Sequence, residues 1–307
     1  MTMKNFLLLA SALALAACVP SVDYGGTDYM CLDGMTCPDG YSCVDQHCVM
    51  GGGGDGDDAG GGEDDPDAGD DDDEDAGEEF EPGELIAVPE ITLFMGCDDS
   101  GEGTCPTDAT PEHEVTVYAF EIEETEVTQG DYSACVDAGE CDAPSAFDPG
   151  VEPDVPVTAV SWYDAEDYCE WIDRRLPTEA EWEAVARAAF GRTYPWGEDD
   201  PDCEYAHYDA CSPARTIDAG EPAGDVTPLG VRGLAGNVSE WVHDWYSSTY
   251  YEDSPDEDPE GPDSGSERVI RGASYDDEED DLRSWIRHQD PPGERDVEVG
   301  FRCARSL

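Results

Sequence analysis

Three segments of the chain place apolar residues at helical spacing behind an N-terminal capping signal. Each begins with a hydroxyl residue and has an acidic residue three positions later, a pairing that satisfies free amides at a helix N-terminus. The first residues are Thr128, Ser161 and Thr178. The second segment places apolar residues from Ala165 to Ile172 on one face, and the third runs from Glu179 to about Ala189. The pattern therefore predicts three short helices.

Alternation of apolar and polar residues predicts short strands at 85–95, 113–122 and 297–304. Most of the sequence between these elements is rich in glycine, proline and aspartate, the residues of turns and loops. So much loop is uncommon in one domain, and it needs cross-links or bound ions to hold it. The pattern predicts a mixed α and β domain with little regular secondary structure.

The N-terminus has the features of a signal peptide. Lys4 precedes an apolar run from Phe6 to Ala17, which is shorter than the roughly 20 residues that span a bilayer. The run ends in Leu15-Ala16-Ala17-Cys18, which resembles the bacterial lipobox. The resemblance implies that residues 1–17 are removed and that Cys18 carries a lipid anchor. Ordinary signal cleavage nearby, with Cys18 incidental, is the alternative. Val19, in place of an aspartate retention signal, favours the outer membrane.

Composition divides the remaining chain into three parts. Residues 18–49 contain the lipidated N-terminus and a small four-cysteine knot, whose disulfide connectivity the sequence leaves open. Residues 50–84 are almost entirely glycine, aspartate and glutamate, so charge repulsion predicts an extended, disordered linker. Apolar and aromatic residues return in 85–307, which is long enough for one large core. The knot cysteines are Cys31, Cys37, Cys43 and Cys48.

Charge and cysteine content narrow the class of protein. The 307 residues carry 14 basic and 77 acidic side chains, a net charge of −63, which excludes nucleic-acid binding by phosphate neutralisation. The 13 cysteines leave an even number once Cys18 is lipidated. An exported protein meets an oxidising compartment, so these cysteines are expected in disulfides. Zinc is the weaker reading, because the chain has no Cys-x-x-Cys pair and five histidines.

A series of short motifs follows in a fixed order between residues 93 and 303. They are Leu93-Phe94-Met95-Gly96, Pro111-Glu112-His113-Glu114-Val115, Glu126-Val127-Thr128, Pro156-Val157, Ser161-Trp162, Arg175 to Glu183, Tyr194-Pro195-Trp196-Gly197, Gly236 to Trp241, Arg268 to Gly272 and Gly300-Phe301-Arg302-Cys303. This series resembles the formylglycine-generating-enzyme (sulfatase-modifying factor) domain across about residues 85–307. The resemblance implies a C-type-lectin-like α+β fold stapled by disulfides.

The resemblance also implies one long-range disulfide, between Cys169 and Cys303. The other cysteines of the domain are expected to pair locally, because each pair closes a short loop. These pairs are Cys97–Cys105, Cys135–Cys141 and Cys203–Cys211.

Active members of this family oxidise a substrate cysteine to formylglycine with oxygen and bind copper(I) through two cysteine thiolates. Those cysteines follow the block that here is Arg271 to Tyr275, so their positions fall at about Asp277 and Leu282. Carboxylates are hard ligands and do not replace a copper(I) dithiolate. The sequence therefore argues against copper and identifies no catalytic residue. Iron-dependent relatives use histidines of a separate helical domain, whereas His113, His207, His243 and His288 are scattered here.

Calcium is the cofactor that the resemblance leaves open. In the family a Gly-Asn-x-x-Glu-Trp turn binds calcium through main-chain carbonyls and the glutamate, which correspond to Gly236, Val238 and Glu240. Gly233 stands where a side-chain ligand, asparagine or aspartate, is usual, so one oxygen is lost. A second family site departs further, with His207 near an expected asparagine. The alternative is a structural turn in which Glu240 accepts from main-chain amides.

Loops over a fixed scaffold commonly carry recognition. If the fold is right, Trp196, the segment 244–246 and the segment 283–288 approach one another. Aromatic rings beside arginines can stack on sugars or peptides and pair with anions. The candidate ligand-binding residues are Trp196, Trp245, Tyr246, Arg283, Trp285 and Arg287. The alternative is that the tryptophans are core residues and the arginines balance acids.

Together these features predict an exported lipoprotein of the cell envelope, anchored in the membrane through its N-terminal lipid. The favoured function is a non-catalytic module that binds a glycan, a peptide or an envelope protein. One alternative is an oxidoreductase of the formylglycine-generating family that acts through a non-standard site. The other is a purely structural envelope protein.

Overall fold

The structure, a computed structural model, describes residues 80–98, 105–145, 147–188 and 191–307, together with three short strands before residue 51. The predicted signal peptide lies outside the described residues, as do Cys18, the pairing of the knot cysteines and most of the predicted acidic linker. Within the described part, no helix has the length and apolar character needed to cross a membrane. The chain divides into two units, Met1–Asp73 and Glu74–Leu307.

The first unit contains a small antiparallel sheet. Its strands are β1 (Tyr29–Met30), β2 (Tyr41–Val44) and β3 (His47–Met50), in the order β1-β3-β2. Tyr29 pairs with Cys48 and Tyr41 pairs with Met50 across this sheet.

The second unit carries three small sheets. The first has the order β12-β7-β4, from Ala304–Ser306, Phe120–Glu123 and Leu85–Val88, and all its pairs are antiparallel. The second pairs β5 (Ile91–Met95) with β6 (His113–Val117).

The largest sheet has four strands in the order β10-β9-β8-β11. Their bounds are Arg287–Asp290, Arg268–Arg271, Ser239–Trp245 and Val299–Phe301. β11 runs parallel to β8, and the other pairs are antiparallel. The turns that follow β9 and precede β8 carry the expected copper and calcium positions.

Each strand predicted from the sequence is two strands in the structure, and the two belong to different sheets. The segment 85–95 divides into β4 and β5, 113–122 into β6 and β7, and 297–304 into β11 and β12. In the first segment the reason is visible at Pro89, which has no main-chain amide to continue a ladder between β4 and β5.

The three predicted helices are present with both hydrogen bonds of each capping box. They are α1 (Gln129–Ala138), α2 (Trp162–Trp171) and α3 (Glu179–Arg187), so α3 ends two residues before the predicted boundary. α3 is buried on all sides, including Glu183, which is completely buried. It packs against β5, β6, β8 and β9 and brings its carboxylates into the interior.

Four disulfides of the second unit are the pairs expected from the sequence. Cys169–Cys303 joins α2 to the segment between β11 and β12, across 134 residues. The local bridges are Cys97–Cys105, Cys135–Cys141 and Cys203–Cys211. They hold loops that have few ladder hydrogen bonds of their own.

Candidate functional site

The chain turns sharply after β9, before the positions expected for copper-binding cysteines. Gly272 has φ +71°, and a Cβ there would lie 2.9 Å from the Leu234 carbonyl oxygen, so the turn requires glycine. Asp277 then accepts a hydrogen bond from the Ser274 amide at 2.7 Å. Its carboxylate therefore closes the turn.

Leu282, at the second expected position, is a core residue. Only 2% of it is exposed, and it packs in an apolar cluster with Tyr194, Tyr208 and Ala273. All eight cysteines of the second unit are in disulfides, so none of them offers a thiolate. The donor set at these two positions, a carboxylate and an aliphatic side chain, does not fit copper(I).

A cavity of about 230 Å³ opens beside Asp277. Its wall is formed by the ends of β8, β9, β10 and β11 and by the loop before β11. The lining residues are Ser239, Ile270, Asp277, His288, Gln289, Asp290, Asp296, Glu298 and Val299. Four carboxylates and one imidazole therefore face this space, and no arginine lines it. We call it the acidic cavity.

The carboxylates of the acidic cavity perturb one another. Burial raises the pKa of Glu298, and the charges of Asp296 and Asp277 raise it further. Burial and the charge of Asp296 also raise the pKa of Asp290. Within the described ranges, no three histidine, cysteine or acidic side chains converge closely enough to hold one metal ion. The negative charge is thus spread along the wall, which suits an extended cationic group better than a single ion.

Glu240, the expected calcium ligand, is engaged by side chains. Both of its carboxylate oxygens accept from the Arg302 guanidinium, at 2.7 to 3.0 Å, and Oε2 also accepts from the Trp182 indole at 2.9 Å. Glu240 is 1% exposed and Arg302 is completely buried. The carboxylate is therefore already balanced by a guanidinium, although by side chains rather than by the amides that the alternative reading expected. Calcium at Gly236, Val238 and Glu240 stays a prediction.

The residue at the family's second calcium position is also hydrogen-bonded within the protein. His207 is buried, and its Nε2 lies 2.9 Å from the Arg215 carbonyl oxygen. The His207 carbonyl oxygen accepts from the Asn237 amide at 2.7 Å.

Trp196 stacks on two tyrosine rings of its own chain. Its ring centroid lies 5.0 Å from that of Tyr194 and 5.4 Å from that of Tyr205. The Ser284 amide donates to the Thr193 carbonyl oxygen at 2.9 Å, so this loop does meet the segment 283–288 as expected. The Trp196 ring nevertheless already has stacking partners within the chain.

The other two candidate tryptophans lie against arginines. The Arg268 guanidinium is sandwiched between Trp245 at 3.7 Å and Trp162 at 3.6 Å. The Arg187 guanidinium lies 5.5 Å from the Trp285 ring. Cation–π contacts of this kind stabilise buried arginines, so these rings contribute to the stability of the fold.

The candidate arginines are paired with acids. Arg287 is 6% exposed, donates to both carboxylate oxygens of Glu179 and lies 5.1 Å from the Tyr246 ring. The segments 244–246 and 283–288 therefore approach one another as expected. Arg283 is more exposed and pairs with Asp280 at 2.8 Å. The geometry matches the reading in which arginines balance acids.

Sequence reasoning missed most of the acidic cavity. His288, Asp290, Asp296 and Glu298 had no distinguishing signal, because one residue in four of this chain is acidic. Only the spacing from the Arg271 block to Asp277 pointed to this place.

Comparison with known proteins identifies the domain. The family model described as sulfatase-modifying factor enzyme 1-like domain matches residues 73–307. The chain belongs to this family.

The formylglycine-generating enzyme of Streptomyces coelicolor is 32% identical over 277 residues, covering 71% of this chain and 88% of that protein. The serine/threonine-protein kinase pkn1 of Chlamydia pneumoniae is 41% identical over 155 residues, and the match covers 50% of this chain but only 24% of the kinase. Among solved structures, PvdO from Pseudomonas aeruginosa has a TM-score of 0.63 at 25% identity, covering 73% of this chain and 95% of PvdO. The sulfatase-modifying factor fold predicted from the motifs is thereby confirmed.

Proposed function

We propose that this sulfatase-modifying factor domain is a non-catalytic recognition module of the cell envelope and that its acidic cavity binds a cationic segment of a partner protein. The observation that carries the proposal is the replacement of both copper positions. Asp277 closes a turn and Leu282 is buried in the core. The two positions at which active relatives bind copper are therefore occupied by side chains with a structural role.

Charge complementarity supports a cationic ligand. The cavity places Asp277, Asp290, Asp296 and Glu298 around about 230 Å³, enough for the end of a lysine or arginine side chain. The candidate aromatic rings and arginines are less available to a ligand. The rings already contact side chains of the same chain, and the arginines already pair with its acids. A peptide is therefore favoured over a glycan.

In this proposal the domain lies outside the cytoplasm. The sequence supports export and a lipid on Cys18, which together would hold the domain at the membrane surface at the end of a long acidic linker. Four disulfides in the domain support an oxidising environment.

A direct assay tests whether the protein generates formylglycine. The full chain is incubated with a cysteine-bearing sulfatase-motif peptide, copper(I), a thiol and oxygen, and the peptide is analysed by mass spectrometry. We expect an unchanged peptide while the Streptomyces coelicolor enzyme converts its sample. Conversion of the cysteine to an aldehyde would overturn the proposal.

Binding is tested with a fluorescent peptide that contains alternating lysine and glycine residues. We expect anisotropy to rise with the wild-type chain and its affinity to fall at least tenfold in Glu298→Gln and Asp296→Asn. Asp218→Asn is the matched control, because it removes one acidic charge outside the cavity. Equal affinity in all four proteins would mean that the linker or the general surface charge binds the peptide, and would refute this site.

A further inference from the structure

A second cavity lies near the C-terminal end of β8, and the proposed function makes no use of it. Its volume is about 290 Å³, and it shares no lining residue with the acidic cavity. Phe120 and Leu176, both almost completely buried, give it an apolar wall. Small-molecule sites usually begin at about 300 Å³, so this space suits one small ligand rather than a chain segment. We call it the β8 cavity.

The β8 cavity contains polar groups that are available to a ligand. His243 is half-buried and its ring lies 6.4 Å from the Trp162 ring, but neither imidazole nitrogen makes a hydrogen bond within the described part of the chain. The exposed carboxylate of Glu260 also has no hydrogen bond or ion pair among the described residues. Arg175 makes four hydrogen bonds within the chain, which leaves one of its N–H groups for a ligand.

An aromatic ring stands at the edge of the β8 cavity. Tyr118 is 48% exposed, its hydroxyl donates to the Glu257 carboxylate at 2.9 Å, and its amide donates to Asp258 Oδ1 at 2.7 Å. Asp258 has φ +39°, which a non-glycine residue rarely adopts, and its amide donates to the Thr116 carbonyl oxygen at 2.9 Å. The segment that leads to Glu260 is thus fixed against β6 and Tyr118. A wall that is already in place reduces the ordering cost of binding.

The charges around the β8 cavity favour an uncharged ligand. Burial lowers the pKa of His243, and the charges of Arg268 and Arg175 lower it further against the opposing effect of Glu260. The inner part of the cavity therefore disfavours a cation, and the imidazole is neutral at pH 7, with one donor and one acceptor. The exposed carboxylates of Asp258 and Glu260 disfavour an anion. What remains is a neutral ligand that both donates and accepts hydrogen bonds.

We propose that the β8 cavity binds one neutral sugar unit of a glycan. Sugar hydroxyls donate and accept, so they match the carboxylate of Glu260, the imidazole of His243 and the free N–H group of Arg175. Hydrogen bonds to the charged groups among these are the stronger kind. The C–H face of a pyranose ring packs on the electron-rich face of an aromatic ring, which Tyr118 presents. This site goes beyond the peptide recognition proposed for the acidic cavity and does not depend on it.

The test is saturation-transfer NMR between the full chain and free sugars. The probes are glucose, galactose, mannose and N-acetylglucosamine, and tetramethylammonium is the cationic probe. We expect transfer to at least one sugar, strongest for the protons of the ring face that lies on Tyr118. The affinity for that sugar should fall by at least about tenfold in Glu260→Gln, the loss expected when one hydrogen bond to a charged group is removed. Tyr118→Ala and His243→Phe should weaken binding as well, and the phenylalanine keeps a ring against Trp162.

Two variants are matched controls. Tyr163→Ala removes a tyrosine that is 50% exposed but does not line the β8 cavity. Glu294→Gln removes an exposed glutamate that also lies outside it. Both proteins should bind the sugar as the wild-type chain does.

Several results would overturn the proposal. No transfer from the wild-type chain to any of the four sugars would refute a sugar site. Unchanged affinity in Glu260→Gln and Tyr118→Ala would place the sugar elsewhere on the protein. Binding of tetramethylammonium without binding of sugars would make the β8 cavity a cation site. Displacement of the sugar by the lysine–glycine peptide would place it in the acidic cavity, whereas failure of that peptide to bind at all leaves the sugar result standing.

Discussion

Buried arginines are the most unusual residues of this domain. Arg271 and Arg302 are completely buried, and Arg271 donates to Glu179 at 2.7 Å and to Glu183 at 2.9 Å. A buried ion pair is not necessarily more stable than apolar side chains of the same volume. Removing one partner is costly, however, because the other charge stays buried without compensation. The interior is therefore sensitive to single changes at these positions.

The first prediction concerns Arg271→Met. The variant keeps much of the side-chain volume but removes one of the two guanidinium partners of Glu183 and one of those of Glu179. Arg187 and Arg287 remain as their other partners. We expect the free energy of unfolding to fall by about 3–5 kcal/mol, as measured by denaturant unfolding. Arg305→Met is the control, because Arg305 is half-exposed and pairs with Glu121 at the surface. That change should cost less than about 1 kcal/mol. Equal losses would show that Arg271 contributes packing alone.

The second prediction concerns the pH dependence of stability that the buried carboxyl group of Asp225 causes. Burial raises the pKa of Asp225 to about 8, from an ordinary value near 4. Between these values the unfolded chain releases the proton and the folded chain keeps it, so stability falls as pH rises. The contribution is largest below about pH 4 and is lost once pH passes about 8. Wild type should therefore lose stability relative to Asp225→Asn between pH 5 and pH 8.

The measurement is the difference in unfolding free energy between the two proteins at each pH. Taking the difference cancels the other carboxylates, which are common to both. For one group the slope cannot exceed about 1.4 kcal/mol per pH unit. A difference that is constant with pH would mean that Asp225 is already ionised in the folded protein.

At the scale of elements, the helices were predictable, whereas the buried strands β8 and β9 were not. The capping boxes of α1, α2 and α3 are local, so Thr128, Ser161 and Thr178 marked the helix starts without any knowledge of packing. β8 and β9 were missed because their residues are buried on both faces, so neither strand alternates. Burial on both faces depends on α3 and on the neighbouring sheets, which a single segment does not reveal.

The third prediction tests the cap of α3. Thr178 Oγ1 accepts from the Glu181 amide at 3.1 Å, and the Glu181 carboxylate accepts from the Thr178 amide at 2.8 Å. Thr178→Ala removes the first bond and should lower the free energy of unfolding by about 1 kcal/mol. Thr249→Ala is the control, because Thr249 precedes a short 3-10 turn and its side chain makes no capping bond there. A cost at Thr249 as large as that at Thr178 would contradict the capping argument.

At the scale of the whole molecule, motif order predicted the fold but not the ligand-facing surface. The block from Arg271 to Tyr275 sets the expected copper positions at Asp277 and Leu282, because that spacing is a property of one continuous segment. The acidic cavity brings together β8, β9, β10 and β11, so Ser239 and Glu298 become neighbours only after folding. The six aromatic and arginine candidates were chosen by residue type. Some of their partners, such as Glu179 for Arg287, are distant in sequence, so the sequence does not show that these side chains are already paired.

The long-range disulfide should stabilise the whole molecule more than the local bridges do. Cys169 and Cys303 are both completely buried and close a loop of 134 residues, whereas Cys97–Cys105 closes one of eight. On the loop-entropy model these bridges contribute about 5 and about 2.5 kcal/mol, because the longer loop restricts the unfolded chain more. Replacing both cysteines of each pair by alanine should therefore lower Tm about twice as much for Cys169 and Cys303 as for Cys97 and Cys105. Calorimetry of the two double variants measures the difference. Equal shifts would mean that local strain, and not the span of the bridge across the domain, determines what each disulfide contributes.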